Sequence, residues 1–476
     1  MNTIKIYNPR TRQKEPLATI EPGVVKMYVC GPTVYNFFHV GNARCFTIFD
    51  FIRRFLVYMG YKVNYVQNFT DIDDKMINAA KISGSSVADI AARFIGEYQT
   101  DAAGLGITPA DAHPLATEHI PEIIELISIL IDKAHAYTIP AGDNLDVYFS
   151  VSSFSGYGGI SGMNMEQLRS AENDNPGEGK REPMDFALWK AYKEGEPFWD
   201  SPWGKGRPGW HIECSAMARK YLGESIDIHC GGQDLCFPHH ENEAAQSEAA
   251  YGKPFVRYWM RNGMININDQ KMGKSAGNFF MIRDAAEKYG YEAFRFYILS
   301  AHYRSPVNYS EDIIISAKAS YERIMNCGEN LDFTIANSGS APEKSADDNE
   351  LISILEGHKA SLIAALCDDF NTADAVAALF ELVRSINTAL TNGGISKAYL
   401  SRAREIYDEL CGLFGFIPTK TAAGGIGEDE INALIEKRTK AKNERDWSEA
   451  DRIRDELKQQ GIILEDTSLG VKWKRM

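Results

Sequence analysis

Residues 30–51 read CGPTVYNFFHVGNARCFTIFDF. The stretch opens where an apolar, β-branched run, VVKMYVCG (Val24 to Gly31), ends in Gly and Pro, the pattern of a buried strand entering a turn. From Val40 onward, VGNARCFTIFDFIRRFLVYMG spaces its apolar residues as one helix face and stops at Gly60. YKVNYVQNFTDIDDKM follows as a second strand entering an acidic turn. Strand, helix, strand in this order predicts a right-handed βαβ unit on a parallel sheet. His39, Gly41 and Asn42 stand where strand gives way to helix. A helix start offers free N–H donors to an anion. Gly41 and Ala43 leave room for a flat ring or a phosphate, and His39 and Asn42 add side-chain hydrogen bonds. A helix cap with a packed histidine accounts for the same residues.

Working outward, residues 85–135 read as helical, and 143–200 as short strands with Gly-rich turns (FSGYGGISG), an insertion. ESIDIHCGGQDLCFPHHENEAAQSEAAYG returns to strand, loop and helix, and the segment through KMGKS and EKYG closes the α/β part. TIANSGSAPEKSADDN (Thr334 to Asn349) reads as a linker, followed by helix to about Phe416. TKTAAGGIGEDE is a second linker, and the last segment starts helical and ends as a strand pair.

The bulk properties set limits. A chain of 476 residues accommodates two to four domains, and 44% hydrophobic with 24% charged residues is ordinary for a soluble globular protein. No apolar run reaches membrane-span length and the first residues lack a signal-peptide core, so a cytoplasmic protein is expected. The eight cysteines are scattered, which reads as buried thiols or metal ligands and not as a disulfide framework. A net charge of −14 argues against nonspecific DNA coating. Only residues 431–476 reverse the balance, with eleven Lys or Arg against nine Asp or Glu.

KMGKS (Lys271 to Ser275) carries the tail of a P-loop, but the glycine required five residues before Gly273 is Asn268, so the P-loop reading fails. What remains is a loop with two lysines, Lys271 and Lys274, either neutralising a reacting triphosphate or simply solvated. His239 and Glu243 in HHENE share one helix face at i, i+4. With Cys30 and Cys214 they make a donor set suited to zinc. The spacing contains no CxxC, and two buried thiols beside a His–Glu pair explain it equally well.

Taken together, HVGN after the first strand and KMGKS after the nucleotide fold resemble the "HIGH" and "KMSKS" signatures of class I aminoacyl-tRNA synthetases. Along nearly its whole length the chain resembles the bacterial cysteinyl-tRNA synthetase family, through CGPTVYNFFHVGNAR, NFTDIDDK, PMDFALWK, GRPGWHIECSAMA, GGQDLCFPHHENE, KMGKS, DDFNT and GIILEDTSLGVKWKR. Asn42 replaces the last His of HIGH, and Gly273 the first Ser of KMSKS.

That resemblance implies an α/β, class I Rossmann-like parallel-sheet catalytic domain with an insertion, then a helical domain and a small C-terminal α/β tail domain. The expected boundaries are 1–120 and 201–262 for the two catalytic halves, 121–200 for the insertion, 263–330 for the loop and stem-contact region, 331–418 for the helical bundle and 425–476 for an anticodon-binding tail. It implies activation of L-cysteine by ATP, with Mg2+, to cysteinyl-adenylate and pyrophosphate, then transfer to cysteine tRNA. One zinc is implied on Cys30, Cys214, His239 and Glu243. A pocket that measures only shape separates cysteine from serine by roughly 1–3 kcal/mol, whereas zinc can take the thiolate directly and lower its pKa. His39 and Asn42 are implied at the phosphates, Lys271 and Lys274 at the leaving pyrophosphate. Gly41, His229, Gly231 and Asp234 are implied at adenosine, with Lys274 also touching ATP, and Cys30, Thr70 and Trp210 at the substrate cysteine. Trp447 and Trp473 are candidates for base stacking or for core. The expected form is a monomer with no DNA or membrane partner. Two other readings share parts of the pattern: a cysteine:amino-sugar ligase of mycothiol synthesis, which lacks the complete tail, and an inactive synthetase-like binding protein, which would have lost the loop lysines.

Overall fold

Residues 3–162, 179–271, 280–339, 341–416, 426–467 and 470–475 are described by a computed structural model. Its centre is a parallel sheet of four strands in the spatial order Val256–Asn262, Ile226–Gly232, Val24–Val29, Lys62–Gln67. Only Val24–Val29 is close to a continuous apolar run; the other three strands carry polar residues, of which Asp227 and His229 are fully buried. The helix Val40–Tyr58 carries the chain from Val24–Val29 to its neighbour Lys62–Gln67, forming the expected βαβ unit, and Gly60 (φ +92°) turns it into the second strand. The chain later returns on the opposite side of Val24–Val29, as Ile226–Gly232. Strand order therefore reverses there, and such a switch point opens a crevice at the carboxyl ends of the strands. Cys30 and Gly231 stand at those two ends.

The segment 85–135 is not helical throughout. Helices Val87–Gly104 and Ile120–Asp132 are separated by an extended stretch that bridges to the sheet at Val66↔Ala112 and Phe69↔Leu115. Pro109 and Pro114 cannot donate to a helix ladder, which explains the break.

The insertion is an antiparallel sheet of Ala136–Ala141, Asn144–Phe149, Phe186–Ala191 and Gly206–Pro208. Leu126, Phe149, Leu188 and Trp189 share one buried cluster with Ala216 and Ala245. The insertion is thereby packed onto the two helices, Trp210–Leu222 and Glu241–Tyr251, that carry Cys214 and Glu243. A separate three-stranded sheet pairs Ile265–Ile267 with Gln270–Lys271 and, in parallel, with Val307–Tyr309.

A buried ion pair ties the helix Val40–Tyr58 to Tyr291–Leu299. Arg295 Nη2 donates to Asp50 Oδ2 at 2.8 Å, Nη1 to Leu105 O at 2.8 Å, and Nε to Phe414 O at 2.7 Å. Asp50→Ala would leave this guanidinium buried and uncompensated, so it is expected to cost about 3–5 kcal/mol, read as a lowered urea midpoint.

By contacts, Met1–Tyr321, Ala360–Ala378 and Gly412–Phe416 form one compact unit, and Glu322–Lys359, Leu379–Cys411 and Ile417–Met476 another. The long helices Glu311–Ala336, Asp348–Cys367, Thr372–Asn392 and Lys397–Phe414 each contribute residues to both. In the second unit the tail forms helices Glu428–Asn443 and Trp447–Gln459 and the hairpin Ile462–Thr467/Gly470–Arg475, around Ile431, Ile453, Leu457 and Ile462. Trp473 packs against that small core and donates to Asn432 Oδ1, whereas Trp447 is 59% exposed.

Candidate metal centre and nucleotide site

Gly31 follows Cys30 at the end of its strand and lies hard against the neighbouring chain. A Cβ there would fall 1.5 Å from Asn68 O, so only glycine fits. The Gly31 N–H donates to Asn68 Oδ1 at 2.9 Å, which fixes the turn presenting Cys30. Cys214 projects from the helix Trp210–Leu222, while His239 and Glu243 come from the turn into, and first turn of, Glu241–Tyr251. All four are buried, and one donor atom from each lies within 4.8 Å of the others. The Cys30 and Cys214 sulfurs are 3.9 Å apart, Cys30 Sγ lies 3.5 Å from Glu243 Oε1, and His239 Nε2 lies 3.0 Å from that same oxygen. Two sulfurs, an imidazole nitrogen and a carboxylate oxygen converging among buried residues fit a borderline-soft tetrahedral cation.

A further layer holds these groups. His229 Nε2 lies 2.8 Å from Glu243 Oε2, and His211 Nδ1 lies 2.9 Å from His239 Nδ1. Such partners orient ligands. Burial works against ionisation of Glu243, but the charges of His229 and His239 outweigh it and hold the carboxyl well below its usual range. Burial likewise opposes the His239 cation, yet Glu243 and Cys214 raise it to about 10. The hydrogen bond with Cys30 lowers Cys214, while burial pushes Cys30 well up. The cluster thus carries protons on Cys30 and His239 that a cation would displace.

At the crevice, His39 is the N-cap of Val40–Tyr58. Its Nδ1 accepts from the N–H groups of Gly41 (3.1 Å) and Asn42 (3.3 Å), while Asn42 Oδ1 accepts from the His39 N–H (3.4 Å). Because Nδ1 accepts, the neutral ring carries its proton on Nε2, as a donor. The cap, one of the two readings left open by the sequence, thus engages the helix-start N–H groups of Gly41 and Asn42 itself. Val40 N–H donates to Phe280 O, and Ile282 N–H to Phe38 O. The segment that follows KMGKS is thus bridged to the HVGN turn. Lys271 ends the strand Gln270–Lys271, and Gly273 and Lys274 lie outside the described residues.

Asp234 is exposed on the loop after Gly232, near enough to the signature helix for its charge to reach Cys45. At Gly231 an added Cβ would meet His240 Nε2 at 2.8 Å and Leu235 Cδ1 at 2.9 Å, so packing also calls for glycine there. His229 is completely buried, stacked on Trp259 (4.6 Å) and engaged with Glu243. It therefore sits with the metal-ligand candidates. Trp210 is 39% exposed, its ring 4.4 Å from that of His239, and Thr70 is buried with Oγ1 accepting from Asn68 Nδ2. Asn68, His211 and His240 were not singled out in the sequence. Their motifs, NFTDIDDK, GWHIEC and FPHHENE, were in view, but only the fold shows which side chains turn inward.

Three family models match the chain: "tRNA synthetases class I (C) catalytic domain" over residues 16–319, "DALR domain" over 361–418, and "Cysteinyl-tRNA ligase anticodon binding domain" over 427–473. The chain is 51% identical over 475 residues to the cysteine–tRNA ligase of Clostridioides difficile (strain 630), covering 99% of this chain and 100% of that protein. It belongs to the cysteine–tRNA ligase family. The enzyme of that name from Caldicellulosiruptor saccharolyticus is 52% identical over 473 residues, again 99% of this chain and 100% of the relative. Among solved structures, the Mycobacterium tuberculosis methionyl-tRNA synthetase in complex with methionyl-adenylate superposes with a TM-score of 0.58 at 16% identity, covering 82% of this chain and 89% of that one. A ternary complex of Agrobacterium radiobacter K84 AgnB2 LeuRS with tRNA and LeuAMS gives 0.59 at 12%, covering 85% and 86%. At such identities the likeness shows the fold alone, a class I synthetase fold. Among the described residues no helix is long and apolar enough to cross a membrane.

Proposed function

We propose that this cysteine–tRNA ligase family member activates L-cysteine with ATP and Mg2+, and then loads it onto the 3′ end of cysteine tRNA in the cytoplasm. The observation that carries the proposal is the buried Cys30–Cys214–His239–Glu243 cluster at the switch point of the sheet, in a chain 51% identical to a named relative over its full length. Zinc held by those four residues would offer the substrate sulfur a soft Lewis-acid partner that a serine hydroxyl matches poorly. Thr70 and Trp210 flank the cluster as walls for the substrate cysteine. His39 donates to the phosphates from Nε2, and Asn42 secures the cap that orients its ring. Gly41 and Asp234 serve adenosine, the carboxylate suiting a ribose diol. Gly231 keeps that side packed against His240, and His229 positions Glu243. Lys271 and Lys274 neutralise the departing pyrophosphate.

Cysteine-dependent exchange of pyrophosphate into ATP, followed by charging of tRNA, tests the reading. Exchange without charging would favour the amino-sugar ligase, and absence of both would favour an inactive relative. Lys274→Ala is expected to lower exchange by about 10²–10³-fold while changing the KM for cysteine little. A rise confined to that KM would assign the lysine to cysteine binding instead. His229→Ala is expected to weaken zinc about 10–100-fold in a chelator competition, and an unchanged affinity would remove it from the positioning role.

A further inference from the structure

The chain around His39 is held by more than the helix cap. Val40 N–H donates to Phe280 O at 3.2 Å and Ile282 N–H to Phe38 O at 3.1 Å, which makes His39 and Met281 an antiparallel bridge pair. Phe37 stands two residues before His39, and Arg283 two residues after Met281, in the first turn of the helix Ile282–Tyr289. Opposed positions of an antiparallel pair run in opposite directions, so these two side chains come together across the bridge. The Arg283 guanidinium carbon lies 3.9 Å from the centre of the Phe37 ring, a cation–π contact. Arg93 stands farther from the same ring, at 6.0 Å. One helix grips both residues. Phe94, Glu97 and Asp101 of Val87–Gly104 share a helix face at i, i+3 and i+7. Phe94 meets the Phe37 ring edge-on at 5.3 Å. Arg283 Nη2 lies 2.8 Å from Glu97 Oε2 and 3.0 Å from Asp101 Oδ2, and its Nε donates to that Asp101 oxygen at 3.3 Å. Asp101 is buried, and its other oxygen accepts from the Tyr291 hydroxyl at 2.6 Å.

What His39 has to do gives this clamp a consequence for the reaction. Its ring is oriented through Nδ1, which leaves Nε2–H for the phosphates. A displacement of about 1 Å at such a donor is enough to slow a reaction strongly. The cap fixes the ring only relative to its own helix. Phe37 and Phe38, which lead into the cap, belong to no helix or strand and need other anchors. Phe38 has them in the buried rings of Phe46 and Tyr98. Phe37 is half-buried and lies between Phe94 and Arg283. A guanidinium suits this place because its flat face covers a ring while its edge meets two carboxylates, which an ammonium cannot do. We propose that Arg283 is a positioning residue for His39. By clamping Phe37 and the segment after KMGKS to Glu97 and Asp101, it sets where the His39 ring meets the phosphates during cysteine activation. The proposal rests on the function proposed above.

The test is pyrophosphate exchange on the full-length protein, in a cycle of wild type, Arg283→Ala, His39→Ser and the double variant. Serine keeps a capping oxygen but has no group in the place of Nε2. The Arg283 side chain is 28% exposed and Asp101 keeps its bond from Tyr291, so Arg283→Ala should fold, and the thermal midpoint and zinc content check this. Arg283→Met, which keeps an apolar stem against Phe37, takes its place if the alanine variant does not fold. Arg283→Ala should lower the kcat of exchange about tenfold, with the KM for cysteine within about twofold of wild type. His39→Ser should cost about 10²-fold or more, and adding Arg283→Ala to it should slow the enzyme no further. Losses that multiply in the double variant would make Arg283 a structural residue independent of His39 and overturn the proposal. A wild-type rate in Arg283→Ala, or a change confined to the KM for cysteine, would overturn it too. Wild-type protein without cysteine-dependent exchange would sink the functional reading and this inference with it, whereas wild-type exchange with multiplied losses would sink the inference alone.

Discussion

Cys214→Ala protein is expected to purify with little or no zinc and to lose cysteine activation by about 10³-fold or more, with its fold retained. Cys214 is 2% exposed and 3.9 Å from Cys30, and its hydrogen bond with Cys30 makes it the more readily ionised of the two thiols. Removing it leaves three donors, one of them a protonated thiol, around an open face. The remaining packing of Trp210–Leu222 against the insertion is apolar and does not depend on that sulfur. Metal analysis and circular dichroism on the same sample separate loss of the ion from loss of the fold. Full zinc occupancy in the variant would refute the ligand assignment. The wild-type site carries a matching pH signature. His239 is raised to about 10 and Cys30 is raised well above its usual range, so both must surrender protons when a cation binds. Zinc affinity should therefore climb as pH rises from 6 toward 10, and calorimetry in buffers of differing ionisation enthalpy should register proton release.

Deletion of residues 425–476 is the second large effect: aminoacylation should fall by about 10²-fold or more, with pyrophosphate exchange within about threefold of wild type. The candidate catalytic and metal residues all belong to the first compact unit, whereas the tail has its own small core of Ile431, Ile453, Leu457 and Ile462. That core is closed by Arg438, which reaches both Asp466 oxygens at 2.8 and 2.9 Å. Within the second unit the tail touches the helix Glu311–Ala336, through Lys472 on Asn330. Trp447, 59% exposed, is the better base-stacking candidate, because Trp473 is already committed to the tail core. The excess of cations after residue 431 is only two, so affinity should come from stacking and shape as well as charge, and should still weaken with salt. Equal loss of both half-reactions would mean that the tail supports the fold of the catalytic unit. Unchanged aminoacylation would mean that it does not hold the tRNA.

What the sequence determined by itself is local and periodic. The apolar run of Val24–Val29, the 3.6-residue rhythm of Val40–Tyr58 and the break at Gly60 specify strand, helix and turn because each depends on neighbours a few residues away. The final hairpin was legible for the same reason, and the donor types of the four-residue cluster were visible through resemblance to a family. The extended stretch around Pro109 was misread as helix, because its backbone partners are Val66 and Phe69, on a strand read separately. Only the tertiary structure decided the rest. Cys30 and Cys214 are separated by 184 residues, and no periodicity states that their sulfurs meet. His229 became a partner of Glu243 because Ile226–Gly232 lies beside Val24–Val29 and turns that ring inward. Gly231 is glycine because His240 packs against it. The HVGN turn and the segment after KMGKS share backbone hydrogen bonds across some 240 residues of chain. Side-chain pattern sets what an element is. Which elements adjoin is set by backbone pairing and burial across the whole chain, and the chemistry of this site lies in those adjacencies.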